Sequence, residues 1–284
     1  YGLAVYGSSS STIQLVSPLT KDQVSFDNGE DGNWGAHKGG DINQIKTIAA
    51  TTSFPSSLPS STRHGETKSN SASPTRKDDL LRLPDHVLTT KVFTFFGFKD
   101  YALTSCASQY LQAHWQTANQ RKPLPLYVPV DCRTLEEAVR RVEQDPRLTT
   151  IVLVKGEHQI DGDWLKIVSA VNIVGDPGVP KSEIVVVGGI RFEEGIPGNC
   201  HLQHLTLRQA KHCGVWGDSS FTMEDVLVEQ CGGHGVVVKV TGVVGRCTNV
   251  EVRQCGWSGV VTDGGASITL IGAKTTVHHN CTKG

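Results

Sequence analysis

Asp218, Lys239 and Asp263 recur at one position of a repeating pattern, and they are the residues whose types and spacing could do chemistry. Hydrolysis of a glycosidic bond needs two carboxyl groups roughly 5 to 9.5 Å apart, one as acid and one as base or nucleophile. In strands stacked about 4.8 Å apart, two residues separated by two rungs fall near that range. Lys239 stands between the two aspartates, however, and would pair with both. A second column, Arg208, Glu229, Arg253 and His279, also alternates in sign. Alternation suits cross-strand ion pairing, so both columns are expected to be structural and no residue is assigned catalysis. Asp218, Lys239 and Asp263 are the candidates should the face prove catalytic. Trp216 and Trp257 fall near turns, where a ring could stack on a sugar or a peptide or shield the edge of a coil. The face to examine for binding is therefore Trp257 with Asp218, Lys239 and Asp263.

Other reactive residues suggest less. His201, His204, His212 and His234 show neither HExxH nor HxH spacing, so no metal site is expected, and nothing calls for a cofactor. The eight cysteines include no CxxC pair. Cys231, Cys255 and Cys281 share one repeat position and should stack inward as small apolar side chains, with reduced thiols that fit a cytoplasmic or nuclear protein. Gln209, Gln230, Gln254 and Asn280 form an amide column, expected as a hydrogen-bonded ladder at a turn. A net charge of -1 offers no field for nucleic acid or an anionic membrane. No apolar run approaches the roughly 18 residues of a membrane span.

The elements that must position these residues come from a repeat. Segments beginning at Leu205, Val226, Val250 and Thr276 follow one another at 21, 24 and 26 residues. The first three open with an apolar-x-apolar pair, then a charge, then an amide, and continue to a glycine (Gly214, Gly235, Gly259) that opens a second apolar run; the fourth, truncated, shares the amide at Asn280. Short β-branched runs broken by Gly, Asn and Asp predict one strand per side of a coil. The predicted fold is mainly β, a right-handed parallel β-helix over 121–284. Thr134 to Glu137 reads as a capping box opening a helix over 134–144, with Leu135, Ala138, Val139 and Val142 on one face, suited to lid the start of the solenoid.

Residues 1–50 carry the same texture. Tyr1-Gly2-Leu3-Ala4-Val5 matches Ser258-Gly259-Val260-Val261-Thr262, Thr12 to Val16 matches Ser267 to Ile271, and Gln23 to Asn28 matches Thr276 to Cys281. They are expected to be closing coils, either docked on the C-terminal coil of the same chain or belonging to a tandem array. A flexible linker of about 29 residues reaches up to roughly 95 Å, ample for docking in cis. That linker, 51–79, is rich in Ser, Thr and Pro and is expected to be disordered.

Residues 80–120 read as three short amphipathic helices. The run LPDHVLTTKVFTFFGFKDYALTSCASQYLQAHW resembles an F-box, the motif that docks on the adaptor of cullin-RING ubiquitin ligases. Leu83, Pro84, Val87, Leu88, Val92, Phe93 and Phe96 fall where such motifs carry adaptor contacts, with Asp85, Asp100 and Trp115 in matching places. The segments TLEEAV, TIVLVKGEHQI and VNIVGDPG resemble the opening of pectin-lyase-like and carbohydrate-binding β-helix domains. Together these resemblances imply a substrate-recognition subunit that binds the ligase adaptor and cullin complex and presents its β-helix to an unknown protein target. The alternatives are a polysaccharide lyase, hydrolase or carbohydrate-binding β-helix, and a non-catalytic structural repeat.

Overall fold

A computed structural model describes residues 1–7, 9–29, 32–50 and 125–282. The repeated apolar-x-apolar pairs form strands, and parallel pairing joins nineteen of them into a solenoid of about six turns. Each turn has three faces. The first is built from β6 (Leu126–Val128), β7 (Thr150–Leu153), β9 (Asn172–Gly175), the opening halves of β11 (Cys200–Arg208) and β13 (Phe221–Glu229), β15 (Val244–Thr248), β18 (Ser267–Ile271), β2 (Thr12–Val16) and β5 (Ile45–Ile48). The second takes the opening halves of β8 (Gly156–Ile167) and β10 (Ile184–Phe192), the closing halves of β11 and β13, then β16 (Glu251–Arg253), β19 (Thr276–His278) and β3 (Ser25–Phe26). The third runs through the closing halves of β8 and β10, then β12 (Val215–Gly217), β14 (Val236–Val238), β17 (Val260–Thr262), β1 (Leu3–Tyr6) and β4 (Trp34–His37).

Alternation within each strand sends one column of side chains inward. Leu202, Met223, Cys247, Leu270 and Leu15 stack from the first face, Leu207, Val228, Val252 and Val277 from the second, and Val215, Val236, Val260 and Leu3 from the third, all buried. Each fully buried residue of this size contributes about 1.5 to 3 kcal/mol. The corners are tight. His204, Asp225 and Asn249 turn one, and Gln209, Gln230, Gln254, His279 and Asp27 another, all with φ between 49 and 55°. Asn, Asp and His, which hold five of these eight corners, are the non-glycine residues that tolerate this left-handed region best; glutamine holds the other three.

Residues 1–50 close the solenoid in the register their sequence shows. Leu3 lies on Val260, Ala4 on Val261 and Val5 on Thr262, while Thr12 lies on Ser267 and Ile13 on Ile268. At the next corner the expected alignment slips by one. Val277 pairs with Val252 and Ser25 with Val277, so His279, not Asn280, continues the glutamine corner. The buried column Ala210, Cys231, Cys255 is therefore continued by Asn280 and Asn28, and Cys281 falls outside it, half-buried. In place of the predicted four-amide ladder, Gln230 Nε2 donates to Gln254 Oε1 at 3.4 Å, and Asn280 and Asn28 bond inside the coil.

Two α-helices occur among the described residues, α1 (Lys21–Val24) and α2 (Leu135–Gln144). Helix α2 buries Leu135, Ala138, Val139 and Val142 and packs on β6, β7 and β8, at the first end of the solenoid. Thr134 Oγ1 accepts from the Glu137 N–H at 3.2 Å, but the return bond of the expected capping box goes one residue further back, from Arg133 N–H to Glu137 Oε2 at 2.9 Å. The predicted linker and the F-box-like helices, with Leu83, Pro84, Val87, Leu88, Val92, Phe93 and Phe96, lie outside the described residues. No helix among the described residues is long and apolar enough to cross a membrane.

Candidate functional site

On the third face the outward positions of the central rungs carry small apolar side chains, Val237, Val261 and Ala4, each between two inward neighbours. All three are nonetheless buried, at 3, 4 and 0 % exposure. With Cys213 they form a second apolar cluster, separate from the interior, and Tyr1, Tyr6, Trp164 and Trp216 pack against it. The strands thus supply a flat floor, and rings from neighbouring turns lie over it.

These rings contact one another in two series. Trp164 stacks on His212 with centroids 6.3 Å apart and meets Trp216 edge-on at 6.3 Å. Trp257 meets His234 at 5.1 Å, His234 meets Tyr6 at 6.3 Å, Tyr6 stacks on His37 at 5.1 Å, and His37 meets Tyr1 at 5.0 Å. The Tyr1 ring can lie flat on the sheet because residue 35 is glycine; a Cβ there would meet ring carbons at under 3 Å. Trp257 is the open end of its series, 56 % exposed. Burial holds the His234 imidazole at a pKa of about 4, so it is neutral under ordinary conditions.

Charged side chains border the rings. Asp218, Lys239 and Asp263 follow Gly217, Val238 and Thr262, which pair rung to rung, so the three do form one column. Their pairing differs from the expectation that Lys239 serves both aspartates. Lys239 Nζ lies 3.7 Å from Asp263 Oδ2 and 5.6 Å from the centroid of the Trp216 ring. Asp218 is taken instead by Arg191, whose Nη2 donates to Asp218 Oδ2 at 2.8 Å, while the Trp216 indole N–H donates to Asp218 Oδ1 at 2.9 Å. Arg191 Cζ also sits 5.9 Å from the Trp216 ring. Asp218, 8 % exposed and bonded through both oxygens, acts as the anchor that orients Trp216. Asp263 Oδ1 accepts from the Gly264 N–H at 2.7 Å. Lys211 Nζ pairs with Asp163 at 2.9 Å beside His212, and holds that carboxyl below its ordinary range.

The other charged column lies on the second face and is structural. Arg253 donates to Glu229 at 2.8 Å and to Glu251 at 3.0 Å. Arg208 pairs with Glu157 rather than Glu229, and the member from the last turn is His278, at 3.2 Å from Glu251, not His279. Among the described residues no group of three or more His, Cys, Asp or Glu is placed to hold a metal ion. A separate hollow of about 340 Å³ between α2 and β8 is lined by residues of both signs, Arg133, Lys155, Glu157 and Asp161 among them.

The structure thus brings Trp257, Asp218, Lys239 and Asp263 onto one face, and adds Trp164, Tyr1, Tyr6, His37, His212 and His234, which the sequence did not single out as a group. The available signal was their place just before or outward within third-face strands, and it needs the register to be seen.

No protein-family description matches the chain, and no curated protein matches it. Among solved structures, the chain is similar to the catalytic domain of a GH87 alpha-1,3-glucanase in complex with tetrasaccharides, at 17 % identity and a TM-score of 0.29. The similarity covers 49 % of this chain and 31 % of that one, so the chain spans under a third of the glucanase domain's length.

Proposed function

We propose that the protein is a non-catalytic polysaccharide-binding β-solenoid and that its third face is the binding surface. The observation that carries this reading is the ring series from Trp257 through His234, Tyr6 and His37 to Tyr1, laid across successive rungs beside the Lys239–Asp263 pair. Flat rings with one apolar face suit the C–H faces of pyranose units, and a small number of placed polar groups then select hydroxyls. Asp218 supports binding rather than bond cleavage, because both of its oxygens are occupied in holding Trp216 and Arg191. Affinity electrophoresis through gels containing polysaccharide tests the reading: the protein is retarded, Trp257→Ala migrates freely, and the polysaccharide is not shortened. Depolymerisation abolished by Asp263→Asn would replace binding with catalysis.

A second reading rests on the sequence of 80–120. There the F-box-like run makes the chain a recognition subunit of a cullin-RING ligase, with the same face presented to a target. Co-purification with the ligase adaptor, lost in the Leu83→Ala plus Pro84→Ala variant, supports it; no adaptor binding removes it.

A further inference from the structure

The two ring series of the third face stop short of each other at a glycine. The corner leading into this face stacks His212, Gly233 and Trp257 on successive turns, since the Gly233 N–H donates to His212 O and the Trp257 N–H donates to Gly233 O at 3.0 Å. The strands beyond keep the same order, Val215 pairing with Val236 and Val236 with Val260. His212 ends the Trp164 series and Trp257 begins the other, and no ring contact joins the two. Elsewhere on the face, a glycine beneath the rings is covered by the chain itself. A Cβ on Gly189 would meet Trp164 ring carbons at 3.0 Å, and one on Gly35 would meet the Tyr1 ring. At Gly233 the first atoms met are the His212 carbonyl and the Cys213 sulfur, none of them from a ring. Both flanking side chains are more than half exposed, His212 at 55 % and Trp257 at 56 %.

Two steps of roughly 4.8 Å set His212 and Trp257 about 9.6 Å apart along the solenoid. A ring touching both needs about 7 to 8 Å, twice an ordinary carbon–carbon contact. Resting on the glycan-binding reading above, we infer that this gap seats one pyranose ring between imidazole and indole, and that it selects sugars without axial hydroxyls. Contact on both faces sets the selection. A gluco- or xylo-configured unit, linked equatorially, carries its substituents around the ring edge and shows only axial C–H on either face, which suits an aromatic partner on each side. Its hydroxyls reach the rim, where the Lys211 ammonium and the Asp163 carboxylate, paired at 2.9 Å next to His212, can donate and accept. The axial hydroxyl of mannose or galactose points at one of the two rings, where it loses water and gains no partner. A platform on one side only would tolerate that hydroxyl, because the sugar could turn its other face to the ring.

The experiment is titration calorimetry of the full chain against soluble oligosaccharides of equatorially linked glucose, xylose, mannose and galactose. The expected result is binding of the glucose or xylose series, with mannose and galactose at least about tenfold weaker. Trp257→Ala and His212→Ala should each weaken binding about tenfold, and His212→Phe, which keeps a ring at that position, should restore it. Loss of binding in Trp257→Ala with none in His212→Ala would overturn the two-sided seat while leaving the face a glycan site. Mannose or galactose binding as tightly as glucose and xylose would do the same. Failure of all four series to bind would overturn both readings together.

Discussion

Replacing Asn280 by alanine should cost more stability than any surface change of similar size. Asn280 is 2 % exposed and closes the solenoid between residue 28 and residue 280. Its Nδ2 donates to Val252 O at 3.2 Å, to His278 O at 3.1 Å and to Asn28 Oδ1 at 3.0 Å, and its Oδ1 accepts from the buried Cys255 N–H at 3.1 Å. Asn28 in turn donates to Val277 O at 3.2 Å and to Phe26 O at 2.9 Å. Alanine takes the acceptor from the Cys255 N–H and a donor from the Val252 carbonyl inside the coil. Each buried polar group left without its partner costs about 1 to 3 kcal/mol, so the expected loss is about 2 to 4 kcal/mol. Urea unfolding followed by circular dichroism measures it as a lower midpoint at unchanged slope. Asn280→Cys separates hydrogen bonding from volume, since cysteines already occupy this position one and two rungs away; it should lose nearly as much as alanine. Asn28→Ala should fall in the same range, and the double variant should lose less than the sum by about 1 kcal/mol. A loss under about 0.5 kcal/mol in Asn280→Ala would refute the clamp.

Three further outcomes follow from the same geometry. His234 has its pKa lowered from 6.5 to about 4 by burial, so the unfolded chain binds a proton there that the folded chain refuses; stability is full above about pH 6.5 and falls as pH drops toward 4, by about 3 kcal/mol. Thermal melts across that range should show the fall, and His234→Phe should flatten it. Asp218→Ala strips the acceptor from the Trp216 indole N–H and from Arg191, at a cost of about 1 to 3 kcal/mol, with loss of near-ultraviolet tryptophan dichroism as the readout. Of the seven described cysteines, Cys281 alone is not buried, while burial pushes the Cys213 thiol up to about 11 and the Cys247 thiol up to about 12. In a Cys106→Ser background, a native-state alkylation pulse should therefore modify Cys281 first, and peptide mapping that finds Cys213 or Cys247 labelled ahead of it would contradict the buried assignment.

The fold was legible because a solenoid states its own period. Apolar-x-apolar pairs at Leu205, Val226 and Val250, and the likeness of Tyr1 to Val5 with Ser258 to Thr262, gave both the architecture and the partner strands, down to Leu3 on Val260. The slip at 276–281 arose where residue chemistry and backbone geometry disagree. Asn280 looks like the next corner amide after Gln254, but His279 takes the left-handed corner at φ 53°, and the amide goes inward, where free backbone groups can use it. Cys281 was misplaced by the same residue, while Cys231 and Cys255 stack inward as expected. Arg191 was missed as the partner of Asp218 because it belongs to a turn before the visible repeat, and only the stacking of β12 on β10 puts it one rung away.

Outside 276–281, sequence by itself determined which strand residues turn inward, where the chain bends, and that charges of opposite sign alternate between rungs, because those properties are local or repeat at a fixed spacing. The tertiary structure alone decided that rings from residues 1, 6 and 37 lie beside those from 234 and 257. More than 190 residues separate these groups along the chain, and only strand pairing between β1 and β17 brings them within ring contact. It also decided which acid each base holds, since an ion pair depends on side-chain reach across rungs as well as on register.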